Sequence, residues 1–140
     1  MLYAGIARRT EETKAEMVGG PSSRSLLRTP LYEEVFRHAV QRMSEVVTAA
    51  LDQNDLAVDQ LDWLIPHQAN KRIMDSISKR LNLPDEKIVV TVDRQANTSA
   101  ATIPLALAEA SGDGRLKPGH LIALSALGGG FAWGSALLRL

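Results

Sequence analysis

Between residues 30 and 51 apolar side chains return every three or four positions: Val35, Phe36, Ala39, Val40, Met43, Val46, Val47, Ala50 and Leu51. Such a recurrence gathers one wide apolar stripe on a helix. Thr29-Pro30 opens it with a capping hydroxyl and a proline at the first helical position, and Glu33 and Glu34 sit near the positive end of its dipole. Asn54-Asp55 marks its end. Trp63-Leu64-Ile65 is a short apolar run with the length and flanks of a buried strand. The helical period resumes from about Asn70 to Leu81, with Ile73, Met74, Ile77 and Leu81 inward, and Pro84 stops it. Lys87 to Val92 is β-branched and apolar and predicts another buried strand. Thr98 to Ala110 predicts a helix of small residues, ended by Ser111-Gly112-Asp113-Gly114. Leu121 to Ala126 and Phe131 to Leu140 predict two strands joined through Gly128-Gly129-Gly130, an antiparallel pair.

Upstream the pattern weakens. Residues 2–7 read as a short strand. Arg8 to Arg28 is rich in Glu, Lys, Arg, Ser and Gly, a loop in which Glu11 to Met17 could hold a short helix. The chain therefore divides into a lead-in, 1–28, and one domain, 29–140. Strands alternating with helices make that domain α/β and layered.

Composition narrows the function. The chain is 45% hydrophobic and 23% charged, as a globular protein is, and its 140 residues suffice for one core. Sixteen basic residues cancel sixteen acidic ones, so no overall field draws nucleic acid or an anionic membrane. An acidic partner would have to be caught by a local basic patch. There is no cysteine, which excludes disulfides and cysteine-ligated metal, and no metal site is expected. It also removes the commonest acyl-accepting nucleophile. The first nine residues carry no signal-peptide pattern and no apolar run approaches the ~20 residues of a membrane span, so a cytoplasmic location is expected.

Three segments carry candidate chemistry, each just after a predicted strand, where ligand sites of α/β folds gather. Pro66-His67-Gln68-Ala69-Asn70 follows the Trp63 strand. Its proline stiffens the exit, the imidazole is presented before the next helix, and Asn70 can cap that helix. A lone loop histidine is more often a hydrogen-bonded structural group, and His38 and His120 take that plainer reading. Asp93-Arg94-Gln95-Ala96-Asn97-Thr98-Ser99-Ala100 links a strand to a helix and sets Asn97 near backbone amides that favour developing negative charge. Alone, it is an ordinary cap. Gly128-Gly129-Gly130-Phe131-Ala132-Trp133-Gly134 permits close backbone approach to a ligand or a cramped turn.

In this order and at these intervals the three segments resemble the signatures of β-ketoacyl-acyl-carrier-protein synthase III, a thiolase-fold condensing enzyme that starts fatty-acid chains. His67-Gln68-Ala69-Asn70, Asn97-Thr98-Ser99-Ala100-Ala101 and the Gly128–Gly134 turn carry the likeness, with Glu34-Val35-Phe36 and Leu61-Asp62-Trp63 adding to it. It covers roughly Pro30 to Leu140. Two departures stand out: Ala96 where the family often has glycine, and Leu127 where it often has phenylalanine.

The resemblance implies a thiolase-like half-domain, a mixed sheet with helices on both faces, missing the opening strand expected in the middle of its sheet. It implies that His67 and Asn97 are the catalytic pair, hydrogen-bonding the thioester carbonyl of malonyl-acyl-carrier-protein as carbon dioxide leaves. Gln68, Ala69, Asn70, Lys71 and Arg72 match the stretch that meets the acidic carrier protein, and Gly129, Gly130 and Phe131 the acyl-pocket loop. No cofactor is implied; the substrates are acyl-CoA and malonyl-acyl carrier protein. The reaction is a decarboxylative Claisen condensation by an acyltransferase of fatty-acid biosynthesis. Its cysteine and much of its dimer interface belong to an N-terminal half that this chain lacks, so the chain alone is expected to be inactive. The expected partners are acyl carrier protein and either the missing half or a homodimer mate. The alternative is a non-catalytic subunit or carrier-binding module, and a slow residual decarboxylation by His67 and Asn97 is a third reading.

Overall fold

The structure is a computed structural model, and it describes residues 2–9, 30–129 and 132–140. The possible helix at Glu11 to Met17 lies outside them. The named strands are β1 (Leu2–Arg9), β2 (Trp63–Pro66), β3 (Leu121–Gly128) and β4 (Ala132–Arg139). The α-helices are α1 (Pro30–Asp52), α2 (Lys71–Leu81), the single-turn α3 (Val92–Gln95) and α4 (Thr102–Gly112).

The strands form one mixed sheet in the order β1-β4-β3-β2. β3 and β4 are antiparallel across the glycine turn, β2 lies parallel to β3, and β1 pairs antiparallel with β4 from Leu2↔Leu138 to Arg9↔Ala132. This corrects one expectation. The opening strand is present in the described chain and forms an edge, and the β2-β3-β4-β1 ladder is continuous, so no central strand is missing from it.

Alternation along β3 sends side chains to two cores. Leu121 and Ala123 face one with Met43, Val47, Ala50 and Leu51 of α1 and Met74 and Ile77 of α2. Ile122 faces the other with Ile65, Val89, Ala106 and Ala110, the last two from α4. Helices thus cover both faces, as a half-domain of this class requires. Val47, Ala50, Met74, Ile77, Ala106 and Ala110 are fully buried. Burying each large apolar side chain contributes about 1.5–3 kcal/mol, which fixes the two layers against the sheet.

Polar contacts fix the register that presents the site. Asp62 Oδ2 accepts from the Leu121 amide at 2.7 Å while the Asp62 amide donates to the Leu121 carbonyl at 2.9 Å. The Trp63 indole donates to Nδ1 of His120 at 3.1 Å. Pro66 then falls opposite Ser125, and the His67 amide donates to the Ser125 carbonyl at 2.7 Å, one step past the strand. The predicted strand at Lys87–Val92 contracts to a single parallel bridge, Leu64↔Ile88, between a 3-10 turn (Asp85–Lys87) and α3. Its later amides are taken by a side chain: Gln68 Oε1 accepts from Thr91 at 2.8 Å and from Val92 at 3.2 Å.

Candidate functional site

Gln68 organises the floor of the site. It is fully buried, and besides accepting those two amides its Nε2 donates to the carbonyls of Pro66 at 2.8 Å and Val89 at 3.1 Å. All four hydrogen bonds a carboxamide commonly makes are thus spent inside the fold. A side chain in that position has no surface to offer a carrier protein. Its work is to tie the His67 segment to the segment leading to Asn97.

The next residues lie nearer the surface. Asn70 caps α2 as expected: its Oδ1 accepts from the Arg72 amide at 2.8 Å, and its Nδ2 donates to the Tyr32 hydroxyl at 3.1 Å. Ala69 is half-buried. Lys71 and Arg72 are exposed on the first turn of α2, where the dipole disfavours cations. Each finds compensation. Lys71 pairs with Asp75 at 2.8 Å, a hydrogen bond that raises its pKa above the ordinary lysine value, and the Arg72 guanidinium lies 5.5 Å from the centroid of the Phe36 ring.

His67 is half-buried at the end of β2, and burial holds its pKa below the ordinary histidine value, so the imidazole is neutral at pH 7. Its Nδ1 lies 2.6 Å from the Thr102 hydroxyl, that hydroxyl lies 3.0 Å from the Ser99 carbonyl, and the Ser99 amide donates to Asn97 Oδ1 at 3.0 Å. The imidazole and the carboxamide are thus joined through Thr102 and Ser99. With Oδ1 accepting from Ser99, Asn97 is an exposed residue whose NH2 group is the donor end of its carboxamide.

The loop that carries Asn97 is held in an uncommon shape. Ala96 has φ 57° and ψ −168°, and Ser99 has φ 56°. The first conformation is essentially a glycine one and costs another residue about 1–3 kcal/mol. Ala96 therefore occupies a glycine-like backbone position under strain. Glu109 of α4 anchors the approach, accepting from Arg94 at 2.5 Å and from Gln95 at 2.9 Å.

Of the expected acyl-pocket loop, Gly129 is an exposed turn residue, and Gly130 and Phe131 lie outside the described residues. A Cβ built on Gly128 or Gly129 meets nothing within 4 Å, so among the described residues no crowding demands glycine there. The described residues hold no group of three His, Cys, Asp or Glu able to bind a metal ion, and no helix long and apolar enough to cross a membrane.

Thr102, Glu109 and the structural role of Gln68 were missed in the sequence. Thr102 gave one signal, a hydroxyl three residues beyond Ser99 at a helix start. Gln68 and Glu109 gave none beyond their polarity.

The family model of the 3-oxoacyl-[acyl-carrier-protein (ACP)] synthase III C terminal matches residues 51–140. The chain belongs to this family. The beta-ketoacyl-[acyl-carrier-protein] synthase III of Paramagnetospirillum magneticum is 56% identical over 124 residues, which are 87% of this chain and 38% of that protein. That of Acidiphilium cryptum is 61% identical over 106 residues, 76% of this chain and 33% of its own length. The crystal structure of the Aquifex aeolicus synthase III superposes with a TM-score of 0.86 at 35% identity, covering 99% of this chain and 44% of that one. The chain thus spans well under half of the synthase III proteins it resembles and corresponds to their C-terminal part. The thiolase-like α/β architecture expected from the sequence is the one found.

Proposed function

We propose that this chain supplies the paired-donor half of a synthase III active site, which condenses acyl-CoA with malonyl-acyl carrier protein when joined to a half that carries the cysteine. The observation that supports it is the hydrogen-bonded string from His67 through Thr102 and Ser99 to Asn97. As the malonyl carboxylate leaves as carbon dioxide, the electrons of the broken C–C bond collect on the thioester oxygen. Fixed donors stabilise that enolate in a site closed to water, and losing one such donor typically lowers the rate about 10²–10³-fold. Asn97 offers one at rest, and His67 is the candidate for the other.

Lys71 and Arg72 are the residues of the carrier-contact stretch with side chains in solvent, and we assign the approach of an acidic carrier to them. We also place the assembled enzyme in the cytoplasm as a dimer. The test is condensation of acetyl-CoA with malonyl-carrier-protein. The expected result is no product from this chain alone, product when a cysteine-bearing N-terminal half is added, and its loss with His67→Ala. Robust condensation by the purified chain would refute the proposal, as would complemented activity indifferent to His67→Ala.

One observation favours the reading of a partnered subunit over a self-sufficient module. On α4 and the turn before it, Ala101, Pro104, Leu105 and Ala108 follow helical spacing and are all exposed, Leu105 at 39%. A face of that kind calls for a cover. We assign the cover to the missing half.

A further inference from the structure

Thr102 sits between two acceptors with one proton to give. Its Oγ1 is 2.6 Å from His67 Nδ1 and 3.0 Å from the Ser99 carbonyl oxygen. Donated to Ser99, the hydroxyl proton leaves oxygen lone pairs facing the imidazole, and Nδ1 must then bring a hydrogen of its own. Donated to Nδ1, it leaves the Ser99 contact empty. Only the first arrangement satisfies both short contacts, and Thr102 is 2% exposed, so bulk water does not replace a lost bond.

We propose that Thr102 is a positioning residue for His67: its hydroxyl, anchored on the Ser99 carbonyl, holds the neutral imidazole in the Nδ1–H form and leaves Nε2 as a lone-pair acceptor. Burial, by keeping the ring neutral, makes the choice of tautomer matter. The two site groups then differ at rest. Asn97 presents N–H donors, whereas His67 presents a lone pair and can donate to a substrate oxygen from Nε2 only after binding a proton there. Through both states Nδ1–H stays on Thr102 and the ring keeps its orientation, the service that an orienting partner gives a histidine in other enzymes.

The catalytic consequence rests on the reaction proposed above, but the tautomer itself is read without substrate. The experiment uses the full 140-residue chain with ¹⁵N-labelled histidine, above the histidine titration range, in long-range ¹H–¹⁵N correlation spectra. The His67 ring is assigned by its disappearance in His67→Gln. The expected wild-type pattern is a protonated Nδ1 and an unprotonated Nε2, retained in Thr102→Ser and exchanged in most molecules of Thr102→Val. A wild-type His67 protonated at Nε2 overturns the proposal, and so does a folded Thr102→Val that keeps Nδ1–H. If the valine variant does not fold, the wild-type pattern alone decides. Failure here leaves the condensation reading intact, and a failed complementation assay leaves the tautomer standing.

Discussion

Gln68 and His67 are neighbours in sequence with opposite duties. Gln68 closes four backbone hydrogen bonds across two segments, so an apolar replacement leaves two amides and two carbonyls unpaired in the interior. Gln68→Leu is expected to lose about 3–5 kcal/mol of stability in urea denaturation, at about 1–3 kcal/mol per stranded group with some relaxation. His67 contributes instead a dependence on pH. Burial holds its folded-state pKa below the ordinary 6.5, so as pH falls the unfolded chain takes up the proton first. Stability should be flat above about 6.5, decline from there towards the lower folded-state value, and then level off. Comparing wild type with His67→Gln isolates this effect from His38 and His120, and identical pH profiles would contradict it. At this scale the sequence was half legible. It gave the capping role of Asn70, which the structure shows, and it pointed to His67 and Asn97 as candidates because each follows a predicted strand. For Gln68 it gave only a likeness to a carrier-contact stretch, because nothing local reveals that its buried amide stands in for a missing strand partner.

The elements with strong periodicity emerged where the pattern put them. Helix α1 runs Pro30–Asp52, α2 runs Lys71–Leu81 after its asparagine cap, and β3 and β4 pair across the glycines. What local pattern could not supply was non-local pairing. Nothing in Leu2–Arg9 names β4 as its neighbour, and nothing in Lys87–Val92 tells that its amides go to a glutamine side chain. Loop geometry was equally hidden, because Ala96 does not look like a residue with positive φ. Its strain yields a prediction for the α3–α4 connection. Ala96→Gly should relieve about 1–3 kcal/mol of backbone strain and return about 0.5–1 kcal/mol in glycine entropy, a net gain of roughly 1 kcal/mol. Thermal unfolding would show it as a raised midpoint, and an unchanged or lower midpoint would mean that the loop is not strained.

For the whole molecule, two cores and a continuous sheet give the chain an interior of its own, while α4 leaves Pro104, Leu105 and Ala108 exposed. The isolated chain is therefore expected to self-associate through that face. Leu105→Glu should shift light scattering towards monomer and weaken complementation by an N-terminal half. A wild-type chain that stays monomeric at high concentration would count against the need for a cover. The family was legible from three short motifs, and two of them, around His67 and Asn97, stand where the chain leaves regular structure and polar side chains link the segments.

The backbone at Ala96 also bears on how this sequence can change. Alanine and glycine codons differ at the second base alone, so a single nucleotide substitution would relax the turn ahead of Asn97 without touching any side chain of the site. Selection for a sturdier or quieter loop has that door open at every replication, and a lineage that keeps alanine here keeps a loop whose shape depends on the Glu109 anchor and the Thr102–Ser99 contact to hold it.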